Sequence, residues 1–364
     1  MSLRDVRRSV GRLAIVGFAG QTVPVELREI AREFDLGGVI YFARNFAQPT
    51  EPAQVKDLSR ECSALTQAWP LWISVDQEGG RVARLKRPFT EWPPMITLGR
   101  SGDDQLTVRF ARAMADELRA VGVNLDYTPV LDVHTNPKNP VIGDRALSEK
   151  ADVAARLGAL MITTLQGGGV AACGKHFPGH GDTSTDSHFE LPLVEQSPER
   201  LQEVELVPFR AAVAADVACI MTAHVLVPAL DEARPATLSP VIVDGLLKKT
   251  LGYRGVVISD DLGMKAISDS TGLGEAMVLS LLAGCDAVLL CNQTPDEQVG
   301  ALEAVVKAIE TGRVPMARLE DALARQERVK HQFLGGGRQS QIPSMSRIGC
   351  EEHQTLADMM TKWL

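Results

Sequence analysis

The chain lacks the features by which several large classes of protein are recognised. Its six cysteines are scattered through 364 residues without a C-x-x-C pair, which argues against a zinc ribbon or a disulfide framework and fits the reducing cytoplasm. No stretch reaches the ~18–20 apolar residues that a membrane span needs. Acidic residues outnumber basic ones by 46 to 38, and the net charge of −8 argues against a nucleic-acid partner. We therefore expect a cytoplasmic protein that binds neither membrane nor nucleic acid.

The beginning of the chain has one feature of a signal peptide. An apolar run over residues 13–19 follows Arg7 and Arg8. The run is short, Gly17 interrupts it, and no A-x-A-like cleavage site follows, so we interpret it as the first strand of the fold.

The dominant pattern is an alternation of short apolar runs with amphipathic helical segments. The runs are rich in Val and Ile, as expected for parallel strands that are buried on both faces. The predicted strands cover residues 13–18, 38–42, 71–75, 124–133, 170–175, 218–223, 255–259 and 287–291. About eight strand–helix repeats predict an α/β fold of the (β/α)₈ TIM-barrel type. An open doubly wound sheet is the alternative, but the G-x-G-x-x-G dinucleotide fingerprint is absent.

The barrel should occupy residues 1–334 as a single catalytic domain. Residues 335–364 then form a C-terminal tail that begins at a run of three glycines. Its last part, residues 351–364, is either a docked amphipathic helix or a frayed end.

Active sites of such barrels lie at the carboxyl ends of the strands, so polar residues at strand exits are the candidates. Asp76 ends the third run and Arg84 follows it after two glycines. The pair could bind sugar hydroxyls, or it could form a structural ion pair. Arg145 lies on the long segment after the fourth strand, where an arginine is more often solvated. His224 ends another strand, where we expect it to support the site.

The fifth strand is followed by the most informative segment. Lys175 and His176 leave the strand, and a loop of glycine, proline and small polar residues follows. We expect this loop to be mobile, since it has little to bury. Asp186 and His188 are two residues apart and can point the same way from an extended chain. A carboxylate beside an imidazole suits a general acid/base near neutral pH.

A metal site is the competing interpretation of the same loop. Its candidate ligands are His176, His180, Asp182, Asp186 and His188. The metal-dependent barrels with which it could be compared open with an H-x-H motif, and this chain has none.

The seventh strand ends in two adjacent carboxylates, Asp260 and Asp261. Neighbouring side chains of an extended segment point to opposite sides, so the two should differ in role. We expect Asp260 to point into the barrel mouth as a nucleophile and Asp261 to cap a helix that begins near Leu262.

Three motifs together resemble glycoside hydrolase family 3, in particular its β-N-acetylglucosaminidase branch of NagZ type. They are V-D-Q-E-G-G-R-V from residue 75, K-H-F-P-G-H-G-D-T-x-T-D-S-H from residue 175, and S-D-D-L-G-M from residue 259. The resemblance implies a retaining mechanism with Asp260 as nucleophile, His188 as acid/base and Asp186 as its partner. The sugar-binding positions that it implies are Asp76, Arg84, Arg145, Lys175 and His176.

The resemblance also implies a small carbohydrate substrate, namely glycosides of N-acetylglucosamine such as the muropeptides of peptidoglycan recycling. It implies neither a cofactor nor a metal ion, and we expect a monomer. This branch uses histidine where retaining glycosidases usually place a second carboxyl group. Because a neutral base does not repel an anion, a phosphorylase that releases N-acetylglucosamine 1-phosphate is one alternative. A non-catalytic sugar-binding barrel is the alternative from outside enzymology.

Overall fold

The computed structural model describes residues 2–66, 69–187, 191–335 and 342–364. Within these residues, eight parallel strands follow one another in chain order around a closed barrel, and the last strand pairs with the first. The predicted (β/α)₈ fold is therefore confirmed. The strands are β1 Ala14–Gly17, β2 Gly38–Tyr41, β3 Trp72–Val75, β4 Leu125–Asp126, β5 Ala171–Phe177, β6 Cys219–Thr222, β7 Val256–Asp261 and β8 Ala287–Leu290.

Helices surround the barrel. They are α1 Leu3–Gly11, α2 Val25–Phe34, α3 Pro52–Ser63, α4 Ile96–Ser101, α5 Asp104–Ala120, α6 Ala151–Gly167, α7 Pro198–Arg200, α8 Leu206–Ala214, α9 Lys265–Ser268, α10 Leu273–Ala283, α11 Pro295–Glu310, α12 Met316–Leu334 and α13 Glu351–Thr361. Two segments, Leu201–Glu205 and Val241–Thr250, have π-helical bonding. None of the described helices is both long and apolar enough to cross a bilayer.

The strands are buried on both faces, as their continuous apolar runs predict. Ile15 and Ile258 belong to the cluster that fills the barrel, whereas Val16 and Val257 belong to the core between strands and helices. All six cysteines are free thiols, and five of them are buried, so they serve as small apolar side chains.

The fourth strand is much shorter than predicted. Residues 124–133 were expected to pair throughout, but β4 covers Leu125–Asp126 alone. Pro129 has no amide hydrogen to donate to a neighbouring strand. The chain rejoins β5 further on, where the Leu131 amide donates to the Lys175 carbonyl oxygen at 2.6 Å. This irregular segment ends at Asp132, whose side chain contacts His176 at the end of β5.

The C-terminal segment packs onto α5 through one buried carboxylate. Glu117 is 2% exposed, and its side chain accepts hydrogen bonds from the Gly349 amide at 2.9 Å and the Thr90 hydroxyl at 2.6 Å. The Nδ1 atom of His353 in α13 lies 2.8 Å from the same carboxylate. The division of the chain into a barrel domain and a tail stays a prediction.

Candidate active site

The carboxyl ends of the barrel strands surround a cavity of about 420 Å³. Six of the eight predicted site residues line it: Asp76, Arg84, Arg145, Lys175, His176 and Asp260. The barrel therefore brings together residues that lie up to 184 positions apart in the chain (260 − 76). Asp186 is described but does not line the cavity, and His188 lies outside the described residues.

One side of the cavity is a cluster of paired charges. The Lys175 Nζ atom lies 2.7 Å from Asp76 Oδ1 and 2.7 Å from Glu78 Oε1. Arg145 donates to both oxygens of Glu78, through Nε at 2.9 Å and Nη2 at 2.8 Å. Arg84 approaches Asp76 at 3.5 Å. Bidentate pairing of this kind fixes the guanidinium plane as well as its position.

The pairing keeps these groups charged although they are buried. Burial alone would raise the pKa of Glu78, but Arg145 and Lys175 outweigh it and hold that pKa well below its ordinary value. Burial alone would lower the pKa of Lys175, but Asp76 and Glu78 raise it. The pKa of Arg145 is raised as well, because the attraction of Glu78 exceeds the effect of burial. The cluster thus offers fixed cations and a fixed carboxylate to a ligand.

A small hairpin that follows β3 positions Asp76 and Glu78. Its antiparallel segments, Gln77–Gly79 and Val82–Ala83, are joined through two glycines with positive φ angles, 111° at Gly79 and 55° at Gly80. Larger residues would be strained in these conformations. The Gln77 side chain closes the hairpin by accepting from the Arg84 amide at 2.8 Å.

A second buried carboxylate, Asp132, organises the exit of β5. It accepts hydrogen bonds from the backbone amides of His176 at 3.2 Å and His180 at 2.6 Å, and its Oδ2 atom lies 2.7 Å from His176 Nδ1. Burial alone would raise the pKa of Asp132, but the charge and hydrogen bonds of His176 lower it. The ring of His176 is therefore held in one orientation at the cavity wall.

The described part of the following loop is more buried than predicted. His180 is 2% exposed and Thr183 is 0% exposed. The Asn139 side chain donates to the His180 carbonyl oxygen at 2.8 Å, and the His180 ring bonds the Thr183 hydroxyl at 2.7 Å. The prediction of a loop with little to bury is wrong for residues 178–183, because buried polar partners from the preceding segment satisfy its polar groups. Burial lowers the pKa of His180 to about 4.

The end of the described loop returns to the cavity. Ser187 is buried, lines the cavity, and accepts at its carbonyl oxygen a hydrogen bond of 3.3 Å from the Ala266 amide at the start of α9. Ser187 thus stands on the same side of the barrel mouth as β7, which carries Asp260.

Asp260 and Asp261 have different environments, as the alternation of side chains along β7 predicts. Asp260 lines the cavity, and its Oδ1 atom accepts from the Asp261 amide at 2.8 Å. Its Oδ2 atom takes no hydrogen bond from any described residue. Burial alone would raise the pKa of Asp260, but His224, His176 and the Asp261 amide lower it. The carboxylate is therefore ionised at neutral pH, which a nucleophile requires.

Asp261 does not cap a helix, contrary to the prediction. It accepts from the Gly263 amide at 3.1 Å and from the Cys291 amide at 3.2 Å, and so joins the exits of β7 and β8. The helix α9 begins later, and no side chain caps it. The pKa of Asp261 is raised, mainly because this side chain is buried.

His224 contacts the backbone of Asp261. It is fully buried, and its Nε2 atom lies 2.9 Å from the Asp261 carbonyl oxygen while Nδ1 lies 2.8 Å from the Thr237 hydroxyl. Burial lowers the pKa of His224. Because a carbonyl oxygen can only accept, His224 donates from Nε2 to the Asp261 carbonyl oxygen.

Sequence reasoning missed three residues of the site. Glu78 lies two positions after Asp76, and the period of two along an extended segment was the available signal. Asp132 follows an apolar run, but its contacts with the loop after β5 depend on the fold. Phe42 lines the cavity after β2, and a single phenylalanine at a strand end carries no signal.

No group of three or more His, Cys, Asp or Glu side chains among the described residues is arranged to hold a metal ion. Asp182, one of the candidate ligands, is engaged elsewhere. It accepts from the Thr135 hydroxyl at 3.0 Å and from the Gln196 side chain.

Comparison with known proteins gives consistent matches. The sequence profile of the glycosyl hydrolase family 3 N-terminal domain matches residues 5–329. A β-hexosaminidase of Nitrosomonas eutropha is 39% identical over 291 residues, which are 78% of this chain and 82% of that protein.

Two solved structures are similar over nearly the whole chain. A family 3 β-N-acetylglucosaminidase from Paenibacillus sp. str. FPU-7 is 41% identical with a TM-score of 0.92, and the match covers 98% of this chain and 68% of that one. NagZ from Neisseria gonorrhoeae, in complex with N-trifluoroacetyl-D-glucosamine, is 30% identical with a TM-score of 0.78, and covers 96% and 97% of the two chains.

The charge cluster predicts the effect of a Glu78→Gln substitution. The variant leaves Lys175 and Arg145 without their shared carboxylate, so we expect a loss of about 3 kcal/mol in the free energy of unfolding. The pKa of Glu78 is lower in the folded state than its unfolded-state value of ~4.3. Its ionisation therefore stabilises the folded state when the pH is above ~4.3, and this stabilisation is lost as the pH falls below that value. Stability should therefore fall less steeply below about pH 5 in the variant than in the wild type.

Urea unfolding between pH 3 and pH 7 measures both effects. The matched control is Asp144→Asn, because Asp144 is half exposed and approaches Arg81 at 3.6 Å on the same side of the barrel. The control should stay within about 0.5 kcal/mol of the wild type. Equal losses in the two variants would contradict a special role for the buried cluster.

Proposed function

The chain belongs to glycosyl hydrolase family 3 and is a glycoside hydrolase, and from this premise we propose that it is a retaining β-N-acetylglucosaminidase. Its reaction releases a terminal β-linked N-acetylglucosamine from a glycoside. The single observation that carries the mechanism is the position of Ser187, the residue before His188, in the same cavity as Asp260. The names of the similar proteins, β-hexosaminidase and β-N-acetylglucosaminidase, support the substrate class.

In this proposal the paired charges hold the sugar. Lys175 and Arg145 donate to its oxygen atoms, while Asp76 accepts from its hydroxyl groups, with Arg84 and His176 completing the binding site. Because Glu78 and Asp132 fix these side chains beforehand, little ordering remains to be done when the sugar binds.

Asp260 is the proposed nucleophile. Its Oδ2 atom attacks the anomeric carbon, the bond to the glycosidic oxygen breaks, and a covalent glycosyl–enzyme ester forms. The lowered pKa of Asp260 supports this role, since the ionised form is the reactive one.

His188 is the proposed acid/base, with Asp186 as its partner. The imidazolium gives its proton to the departing oxygen, and the neutral ring then takes a proton from water as that water attacks the ester and frees Asp260. The environments of the other histidines near the cavity support this choice. Asp132 holds His176, whereas the lowered pKa of His180 and that of His224 keep those rings uncharged at neutral pH.

We further propose that the natural substrates are N-acetylglucosamine-containing muropeptides of peptidoglycan recycling, and that the protein acts as a cytoplasmic monomer. The basis for this is the similarity of the three motifs to the NagZ-type branch.

Product analysis in phosphate buffer checks the hydrolytic step, because N-acetylglucosamine is the expected product and N-acetylglucosamine 1-phosphate would indicate phosphorolysis instead.

The nucleophile assignment predicts the kinetics of Asp260→Asn. The amide cannot form the ester, so kcat for 4-nitrophenyl β-N-acetylglucosaminide should fall by roughly three orders of magnitude or more. Asp269→Asn is the control, since Asp269 is an exposed aspartate at the end of α9. Turnover that survives in Asp260→Asn would exclude Asp260 as nucleophile, and a wild type that cleaves no β-N-acetylglucosaminide would overturn the function itself.

The acid/base assignment predicts a dependence on the leaving group. His188→Ala should lose roughly 10²–10⁴-fold in kcat/KM on an alkyl glycoside, whose alkoxide needs protonation. The loss should be much smaller on the 4-nitrophenyl glycoside, whose phenolate leaves without a proton. His331→Ala, an exposed histidine on α12, is the control. Equal losses on both substrates would show that His188 is not the proton donor.

A further inference from the structure

The hairpin after β3, which positions two carboxylates of the cavity, packs against the part of the chain that follows it. This part, residues 84–95, leads to α4 and is called the connecting segment below. The Gly80 amide at the turn of the hairpin donates to the Trp92 carbonyl oxygen at 2.7 Å. A Cβ atom added at Gly80 would lie 2.9 Å from the Cβ atom of Pro94, closer than carbon atoms normally approach. The position of the hairpin therefore depends on the position of the connecting segment.

The connecting segment is held in turn by Glu117 of α5. The Glu117 carboxylate accepts from the amide of Thr90 at 3.1 Å and from its hydroxyl at 2.6 Å. The C-terminal segment, residues 342–364, contacts the same carboxylate. There the Gly349 amide donates at 2.9 Å, and the Nδ1 atom of His353 lies 2.8 Å away. Glu117 thus joins the C-terminal segment to the connecting segment in the interior, since Thr90 is 0% exposed and His353 is 1% exposed.

The second contact of His353 fixes its role as a donor. Its Nε2 atom lies 3.1 Å from Arg347 Nη2, and a guanidinium can only donate. Nε2 therefore accepts, and the ring proton is on Nδ1, from which it is donated to Glu117. Without this donor, a buried carboxylate would lose one of its hydrogen bonds.

The ring of Trp92 adds an apolar contact between the same segments. Its centroid lies 6.1 Å from that of His353 and 5.0 Å from that of Phe110 in α5, and the side chain is 3% exposed. The backbone of Trp92 also accepts from Gly80. A single residue therefore contacts both the C-terminal segment and the hairpin.

We propose that the C-terminal segment positions the hairpin and thereby sets how tightly the cavity binds its sugar. The inference rests on the proposed function, and it makes Glu117, Trp92 and His353 positioning residues for sugar binding. None of the three lines the cavity, so they act through the connecting segment. Asp260 lies on β7, and the chemical step should therefore change less than binding.

Two substitutions at His353 test the hydrogen bond to Glu117. His353→Leu removes the donor, whereas His353→Asn keeps an N–H group near the position of Nδ1, because its amide nitrogen is also bonded to Cγ. In His353→Leu, we expect KM for 4-nitrophenyl β-N-acetylglucosaminide and the inhibition constant of N-acetylglucosamine to rise about tenfold, the effect of misaligning one hydrogen bond to the sugar. The value of kcat should stay within about twofold. His353→Asn should restore most of the wild-type KM.

Gly349→Ala tests the contact between the two segments without removing a polar side chain. Gly349 has a φ angle of 59°, and a Cβ atom there would overlap the carbonyl oxygen of Pro88 in the connecting segment. The two segments must move apart, so KM should rise as in His353→Leu. The matched control is Val305→Ala, a buried position of α11, which packs on α1, α2 and α10. The control should unfold at a lower urea concentration because it leaves a cavity, and its KM should be that of the wild type.

Hydrogen exchange gives a readout that does not depend on activity. The amides of residues 77–83 should exchange faster in His353→Leu and Gly349→Ala than in the wild type, because a hairpin with a weakened support opens more often. In Val305→Ala, their exchange should be as slow as in the wild type.

The outcomes separate this inference from the proposed function. If His353→Leu and Gly349→Ala keep the wild-type KM, or if Val305→Ala raises KM as much as they do, the C-terminal segment has no specific role in binding and the proposed function stands. A raised KM with unchanged exchange of residues 77–83 would also overturn the inference. If Gly349→Ala does not fold, the substitutions at His353 decide alone. A wild type that cleaves no β-N-acetylglucosaminide would remove the proposed function, and the inference with it.

Discussion

The site depends on the requirement that charges removed from water be paired. Lys175 is 2% exposed and Glu78 is 1% exposed, and neither would be stable in that position alone. Their mutual contacts, with Arg145 and Asp76, link three chain segments: the hairpin after β3, the segment around residues 143–145 and the end of β5. A change in any one segment leaves a buried charge in another without its partner. The geometry of this side of the cavity is therefore set before any ligand arrives.

On the opposite side of the cavity, the carboxylate of Asp260 has no direct ion pair with a described residue. Asp260 is also largely removed from water, but its Oδ1 atom accepts one backbone hydrogen bond, and Lys175 contributes a more distant positive charge. Its second oxygen takes no hydrogen bond from the described residues, which leaves a carboxylate that is both ionised and open to reaction. The cavity thus has fully paired charges on one side, and on the other a carboxylate with one oxygen that no described residue bonds, which fits the proposed division between binding and chemistry.

The sequence allowed the barrel and most of the cavity wall to be predicted. Buried parallel strands leave a strong signal, and barrel geometry places whatever follows them at one mouth, so Asp76, Lys175, His176 and Asp260 could be found from strand exits alone. Arg84 was a candidate from the same motif as Asp76, whereas Arg145 became one through the resemblance to a family.

The errors have a common physical origin. The length of β4, the burial of the loop after β5 and the role of Asp261 all depend on contacts between distant segments. Pro129 has no amide hydrogen to donate, Asp132 accepts from the amide of His180, and Asp261 accepts from the amide of Cys291. Local patterns describe what a residue can do, whereas its partner is decided by packing. His188, predicted from the sequence, lies outside the described residues, so its role stays a prediction.

The most direct test of the account is to trap the intermediate. Incubation with a fluorinated N-acetylglucosamine donor, which forms the glycosyl–enzyme ester faster than water removes it, should add one sugar to the protein. Peptide mapping by mass spectrometry should then place that sugar on Asp260. Labelling of any other side chain, or turnover with no covalent adduct at any time, would contradict the mechanism.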